Sequence, residues 1–388
     1  MTARLAVDVG GANLTWAVAG RRLDDGPGPD GDEGGGGRTG PDGTGEEETR
    51  AEELLASGVA PFPLWREPGA LAGRLARLGR EALAAAGADP SPRRGDGADT
   101  APRRVALALT GELADCFPHR AAGVRHIVAA AAEAWPAARV LVLCRDGGWR
   151  SAGRVARDPL PAAAANWLAP ATWLARAGRD VLLADMGSTT TDLVPVRHGS
   201  VGSGARTDLE RLRAGELVYT GLLRTPVAAL VREVEAGGTT VPVAAERFAV
   251  SGDAHLWLGH IDAEAYHAET PDGRPPDRDS AGRRLARMLC SDPDELGREG
   301  IDAVARAAVE AQARAVIGAV RRQRDRRDAG LPARALVTGA GAEVLATCLR
   351  RAGLELVEPP PPLAGRHAAA STATCLALLA ADSGTDAG

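Results

Sequence analysis

One short device occurs twice in the chain and limits what it can fold into. An apolar run, Leu5–Val9, carries Asp8 near its end, passes through a glycine turn and resumes at once as Leu14–Ala19. The same order returns as Val181–Ala184, Asp185, a turn containing Gly187, and Thr191–Val196. Two apolar runs joined by a tight glycine turn read as an antiparallel hairpin. Two such hairpins, each followed by alternating strand and helix patterns, predict a duplicated α/β chain with a cleft between its halves.

The segments around the hairpins fill in that plan. Phe62–Trp65 reads as a third strand. Gly69–Ala86 places Leu71, Leu75, Leu78 and Leu83 near helical spacing and reads as an amphipathic helix. Val105–Leu109 and Val140–Leu143 read as buried strands, His119–Trp135 and Pro161–Arg176 as helices. After the second hairpin come a mixed region, 204–330, with a helix around Ile301–Arg322, and then an α/β ending. That ending is strand Ala335–Thr338, helix Ala342–Arg351, strand Glu355–Val357 and an alanine-rich helix, Ala368–Ala381. The expected division is 1–165 and 166–388, with 204–330 inserted in the second part and the last helix packing back on the first. Residues 21–50 and 87–103 are rich in Gly, Asp, Pro and charge. They read as mobile insertions, because such composition cannot offset the entropy of ordering.

Composition removes several chemistries. All 46 basic residues of the 388 are arginine. A Schiff-base lysine and a Walker-type phosphate lysine are therefore excluded. A net charge of −5 argues against a general nucleic-acid binder. The five cysteines, Cys116, Cys144, Cys290, Cys348 and Cys375, form no CxxC pair. The start of the chain lacks the basic-then-apolar build of a signal peptide. The longest uncharged stretch, Pro159–Ala175, contains three prolines and is too short for a span of about 20 apolar residues. A cytoplasmic protein with reduced thiols and no membrane association is expected; homo-oligomerisation is left open.

Three glycine turns are the candidates for chemistry. In the first, Gly10, Gly11 and Asn13 offer main-chain N–H groups to an anion, and Asp8 stands where a hydrated Mg²⁺ is held. A plain hairpin turn with a capping aspartate is the alternative. The second, Gly187, Ser188, Thr189 and Thr190 after Asp185, repeats that chemistry with hydroxyls added. The third carries Gly339 and Gly341 between a strand and a helix; it lacks GxGxxG and is a close nucleotide or substrate edge or an ordinary strand-to-helix turn. Asp192 reads as a structural partner of the second turn. His255, His260 and His267 with Asp253 match no zinc spacing and read as capping or surface residues. Arg321–Arg327 reads as a solvated helix end.

The three turns in this order resemble the actin-like, sugar-kinase and Hsp70 ATPase superfamily. That resemblance implies two ribonuclease-H-like domains with a central cleft holding Mg²⁺ and a polyphosphate. Hydantoinase and oxoprolinase proteins share the second turn. Four further segments, Leu109–Phe117, Ala163–Trp167, Gly215–Pro226 and Arg284–Asp292, together with the first turn, look like the tetrahydromethanopterin-linked C1-transfer pathway family.

The resemblance implies an Mg²⁺-dependent transferase of methanofuran-type biosynthesis. It would join an aminomethylfuran methyl diphosphate to the phenol of a glutamyl-tyramine, with loss of pyrophosphate. Asp8 and Asp185 would then be the Mg²⁺–diphosphate pair. Glu112 or Asp115, on the loop after a buried strand, would be the base, with helix capping as the alternative for each. Asn166, read as lying in an alanine-rich helix, either meets ligand or bonds backbone between the domains. Arg224 binds diphosphate or a glutamyl carboxylate, or forms an exposed ion pair. The family often has a lysine after the first turn; Leu14, Thr15 and Trp16 stand there instead. Two other classes fit the same turns: an ATP-dependent kinase or hydrolase, and a nucleotide-binding scaffold without activity.

Overall fold

The structure is a computed structural model and describes residues 3–20, 53–87, 101–326 and 330–380. The expected mobile segment 21–50 lies outside the described residues, as does 88–100 within the second.

Residues of the first half build one sheet. Its strands are β1 (Arg4–Val9), β2 (Asn13–Gly20), β3 (Glu53–Pro61), β4 (Arg104–Leu109), β5 (Arg139–Leu143) and β6 (Trp149–Ser151), in the order β3-β2-β1-β4-β5-β6. β1 runs antiparallel to β2 and parallel to β4, and β4 runs parallel to β5. The hairpin is thus one flank of a sheet whose other flank is parallel, the ribonuclease-H-like order. Helices α1 (Leu71–Ala85) and α2 (Arg120–Ala134) cover one face, where Leu71, Leu75, Leu78 and Ala82 meet Leu5, Val7 and Val9.

The second half repeats the plan. After α3 (Ala152–Arg157) and α4 (Leu168–Arg176), β7 (Val181–Met186) and β8 (Thr191–Arg197) form the hairpin, edged by β9 (Ser200–Val201) and, after α5 (Asp208–Ala214), by β10 (Leu217–Val218). An inserted layer follows: α6 (Val227–Leu230), the ribbon β11 (Glu233–Ala236) and β12 (Thr239–Pro242), α7 (Ser251–Leu258), α8 (Arg278–Arg287) and α9 (Pro293–Asp325). β13 (Arg334–Thr338) then joins β7 in parallel, α10 (Ala342–Arg351) crosses over, β14 (Glu355–Val357) completes the order β10-β8-β7-β13-β14, and α11 (Ser371–Leu379) ends the described chain. Two hairpin-led sheets of the same topology make this the actin-like ATPase fold.

Period-two alternation in the strands decides what lies between the sheets. In β1 the odd residues face α1 and α2, whereas Ala6 faces the opposite way with Ala17 and Ala19 of β2 and Ala106 and Ala108 of β4. That alanine-lined face receives α11 and α4, which pack on their other side against Val181, Leu183, Val194 and Val196 of the second sheet. One apolar cluster therefore runs from sheet to sheet. Asp8 shares the parity of Ala6, Asp185 that of Leu183, and Asp192 that of Val194. The same alternation that builds this shared core turns three carboxylates inward.

Three expectations are corrected. The third strand is Glu53–Pro61; its mixed, partly exposed composition hides it, and Phe62–Trp65 is the turn that follows. Pro161–Arg176 is not one helix: a short 3-10 turn, Leu160–Ala162, precedes an irregular Ala163–Trp167, with Ala164 at φ +49°, before α4 starts. The last helix begins at Ser371, after a 3-10 stretch, Gly365–Ala370. The expected helix around Ile301–Arg322 is present; in α9 it follows a break at Gly297 (φ +71°), and a short helical segment capped by Asp292 precedes that break.

The inserted layer is fixed by a buried ion cluster. Arg284 and Asp253 are both fully buried; Arg284 Nε donates to Asp253 Oδ1 at 2.8 Å, and Tyr266 Oη donates to the same oxygen at 3.1 Å. Arg284 also reaches Asp272 at 3.1 Å. Removing one partner of such a pair leaves the other charge buried. Asp253→Ala and Arg284→Met are each expected to cost about 3 kcal/mol of stability or more, measured by urea unfolding.

Candidate functional site

Asp8 and Asp185 sit near the ends of equivalent strands, β1 and β7, on the inward faces. Asn166 Nδ2 donates to Asp8 Oδ2 at 3.4 Å, while Asp8 Oδ1 is buried without a hydrogen-bond partner. Ser371 Oγ, at the start of α11, donates to Asp185 Oδ2 at 2.7 Å. Burial pushes each carboxyl up to about 7; the charge of Asp192 adds to this at both, and that of Asp8 adds to it at Asp185. Asp192 is held by Arg211, 2.7 Å away, whose guanidinium lies over the Trp167 ring at 4.3 Å. Asp192 thus pairs with an arginine beside the turn it was expected to support.

This donor set suits Mg²⁺. Among the described residues no group of three or more Asp, Glu, His or Cys is placed to enclose a metal. Mg²⁺ at a phosphate site usually takes one or two carboxylates, water and the substrate's own oxygens. Two crowded carboxylates, one with an orphaned buried oxygen, match that requirement: a divalent charge between them would offset their desolvation and mutual repulsion.

The first two turns are closed alike. Gly10 N donates to Asn13 O, and Gly187 N to Thr190 O, each at 3.0 Å. Both are gripped from behind through their carbonyls. Phe62 N bonds Ala12 O at 2.9 Å and Leu64 N bonds Gly11 O at 3.0 Å. Leu222 N bonds Gly187 O at 2.9 Å, and Leu223 N and Arg224 N both bond Ser188 O at 3.0 Å. Among the described residues the N–H groups of Gly11, Ala12, Ser188 and Thr189 carry no protein partner. With the carbonyls engaged, these donors are what each turn offers a ligand, as a main-chain anion cradle does.

Gly221 makes the second grip possible: a Cβ there would lie 2.6 Å from backbone atoms of Thr189. Gly339 in the third turn, at φ +90°, lies against the Asp185 carboxylate, and Gly341 N donates to Met186 O at 2.9 Å. The third turn therefore packs directly on the end of β7. Beside it opens a cavity of about 550 Å³ lined by Leu222, His260, Asp262, Gly341 and Glu343, among others.

Glu112 is buried on the loop after β4, with Oε2 unpartnered and Oε1 3.4 Å from Arg120 Nε. Burial pushes its carboxyl up to about 7 against the pull of Arg120, with Asp208 and Asp8 raising it further. Arg120 also donates to Asp208 at 2.8 Å, so an arginine of α2 ties the first half to α5 of the second. Asp115 is exposed on the same loop and does not join this cluster. Neither carboxylate caps α2; His119 does, accepting from Ala122 N. Asn166 is in the irregular loop before α4, not in a helix as its alanine-rich context implies, and this brings its amide to Asp8.

The structure thus gathers Asp8, Asp185, Asn166, Glu112 and the first two turns, sets Gly339 and Gly341 against β7, and leaves Asp115 apart. Asp192, at the end of the second-turn motif, joins them; Ser371, Arg120 and Asp208 complete the polar cluster without a local motif that announces them. Thr15, opposite Asp8 in the hairpin register, stands near the position of the family's lysine with its hydroxyl buried and unpartnered.

The histidines serve a different purpose. Gln312 Nε2 donates to Gly221 O at 2.8 Å, which leaves its Oε1 to accept from His255 Nε2, also at 2.8 Å. His255 Nδ1 must then accept from His260 Nδ1, 3.1 Å away. A chain of neutral side chains, buried at His255 and Gln312 and exposed at His260, thereby connects the cavity wall to the backbone beneath the second turn. His267 is exposed and bonds the Ala265 carbonyl.

The hydantoinase/oxoprolinase family model matches residues 103–382. Over 222 residues the chain is 36% identical to the (4-{4-[2-(gamma-L-glutamylamino)ethyl]phenoxymethyl}furan-2-yl)methanamine synthase of Methanocaldococcus jannaschii, an alignment that covers 52% of this chain and 67% of that protein. A protein of the same name from Methanococcus vannielii is 40% identical over 121 residues, 31% of this chain and 54% of its own length. Among solved structures, nucleotide-free acetone carboxylase aligns with a TM-score of 0.48 at 12% identity, over 96% of this chain and 70% of that one.

Gly221→Ala is expected to push the second turn out of place, weakening binding of inorganic pyrophosphate with Mg²⁺ by about tenfold or more in calorimetry and costing roughly 1–3 kcal/mol in stability. Burial holds His255 at about 4, below its ordinary 6.5. Between those values the unfolded chain binds the proton and the folded chain does not, so stability falls as pH drops from 6.5 toward 4. The loss assigned to His255 is about 3 kcal/mol, and His255→Gln should flatten that part of the unfolding free energy measured against pH.

Proposed function

The chain belongs to the hydantoinase/oxoprolinase family, and on that premise we propose that it is a transferase of methanofuran-type biosynthesis. It joins an aminomethylfuran methyl diphosphate to the phenol of glutamyl-tyramine and releases pyrophosphate. The observation that carries this reading is the pair of inward carboxylates, Asp8 and Asp185, each beside a turn whose N–H groups are left for an anion. The printed name of the two methanogen relatives supports the chemistry of the product.

In this reading the turns at Gly10–Asn13 and Gly187–Thr190 hold the diphosphate through main-chain donors. Asp8 and Asp185 would hold Mg²⁺, which would supply positive charge against the leaving group. Asn166 and Ser371 orient the two carboxylates through one hydrogen bond each. Glu112, with one free oxygen and a proton affinity near neutrality, takes the phenolic proton. The phenol oxygen forms the new C–O bond at the furan methylene, the C–O bond to diphosphate breaks, and its electron pair leaves with pyrophosphate. Arg120 remains beside Glu112 and Asp208 throughout, holding the loop against α5.

The cavity beside Gly341 favours a second reading, an ATP-dependent hydrolase or small-molecule kinase that uses the same turns with a nucleotide in the cavity. Pyrophosphate assays separate the two. Under the transferase reading, pyrophosphate appears with furan diphosphate plus phenol and ATP is untouched; ATP consumption with a cyclic amide or an alcohol reverses the assignment. Asp8→Asn and Asp185→Asn are each expected to lower pyrophosphate release by at least about 100-fold. Glu112→Gln should lower kcat by about 100-fold or more with tyramine-type phenols and by much less with strongly acidic, fluorinated ones.

A further inference from the structure

Arg224 has the surroundings of a residue awaiting an anion. Its guanidinium is more than half removed from solvent, yet among the described residues it has no hydrogen bond and no ion pair. Desolvation and the neighbouring Arg247 lower its proton affinity, with only Glu269 and Tyr219 opposing. Glu269 is already engaged by Arg66 at 2.8 Å. A desolvated cation with a second cation near it is costly unless something negative arrives.

Its position is defined from both sides of the cleft. Arg224 hangs from the second turn through its own N–H to Ser188 O, at 3.0 Å. Trp65 follows directly on Leu64, whose N–H hangs from Gly11 O of the first turn. The Arg224 guanidinium lies over the Trp65 ring at 4.9 Å. The pair spans the two turns, and Tyr219, 69% exposed, stands nearby. A guanidinium on an indole face keeps its planar fork free for a carboxylate or phosphate.

We propose that Arg224, braced on Trp65, forms the subsite for the second substrate and selects a phenol that carries a carboxylate tail. The guanidinium fork of Arg224 takes the carboxylate. The diphosphate has its own donors in the turns, whereas among the described residues no other unpaired arginine is braced by aromatic contact across the cleft. This assignment rests on the transferase reading for the identity of the phenol, but not for the binding itself.

The test is calorimetric titration of the full chain, without furan diphosphate, with γ-glutamyl-tyramine and with tyramine. Wild type should bind the glutamyl compound more tightly. Arg224→Gln should weaken it roughly 10- to 100-fold while leaving tyramine unchanged. Arg224→Lys should recover only part, because the charge returns without the fork. The proposal is overturned if wild type does not distinguish the two phenols, or if Arg224→Gln weakens both equally. It is also overturned if Arg224→Gln weakens inorganic pyrophosphate with Mg²⁺ instead, which would make Arg224 a diphosphate ligand. Discrimination between phenols without any pyrophosphate release on adding furan diphosphate would leave this subsite standing and remove the transferase reading.

Discussion

Two carboxylates brought out of water at equivalent strand ends are the constraint around which this molecule is arranged. Asp8 and Asp185 gain nothing from burial themselves; desolvation and the charge of Asp192 oppose both charged forms, and Asp8 adds to this at Asp185. They are held because everything behind them is over-determined. Each sits in a strand paired on both sides, and each is followed by a turn closed by its own hydrogen bond. The two hydrogen bonds that orient them come from the layer between the sheets, Asn166 ahead of α4 and Ser371 at the start of α11.

The absence of lysine fits this design. With no flexible ammonium available, positive charge near the cluster comes from guanidiniums fixed by a second contact. Arg211 lies on Trp167, Arg224 on Trp65, and Arg120 bridges two carboxylates. A planar, weakly hydrated cation that stacks is easier to hold in one orientation than an ammonium. What the chain gives up in reach it regains in fixed direction.

The hairpins, the central strands and the actin-like plan were legible in the sequence because they rest on short-range signals: apolar runs of strand length and glycine at the turn. β3 was not, since its partner contacts rather than its composition make it a strand; Glu53, Ser57 and Gly58 carry no such signal. Asp8, Asp185 and Glu112 could be singled out by their position after apolar runs. Arg120 with Asp208, and Ser371 with Asp185, are 88 and 186 residues apart and become visible only once the two sheets face each other. Gly339 and Gly341 show the converse. Glycines in a turn are compatible with ligand approach or with close packing, and here at least Gly339 is needed to clear the Asp185 carboxylate.

The helix α11 has a consequence beyond packing. It belongs to the end of the chain, lies on the alanine-lined face of the first sheet, and presents Ser371 to a carboxylate of the second. The 2.7 Å contact therefore comes from a helix packed against both sheets. The hydroxyl is one of the few groups favouring the ionised form of Asp185. One short helix thus seats the first sheet and aims a carboxylate of the second, so the packing and the site cannot be altered separately there.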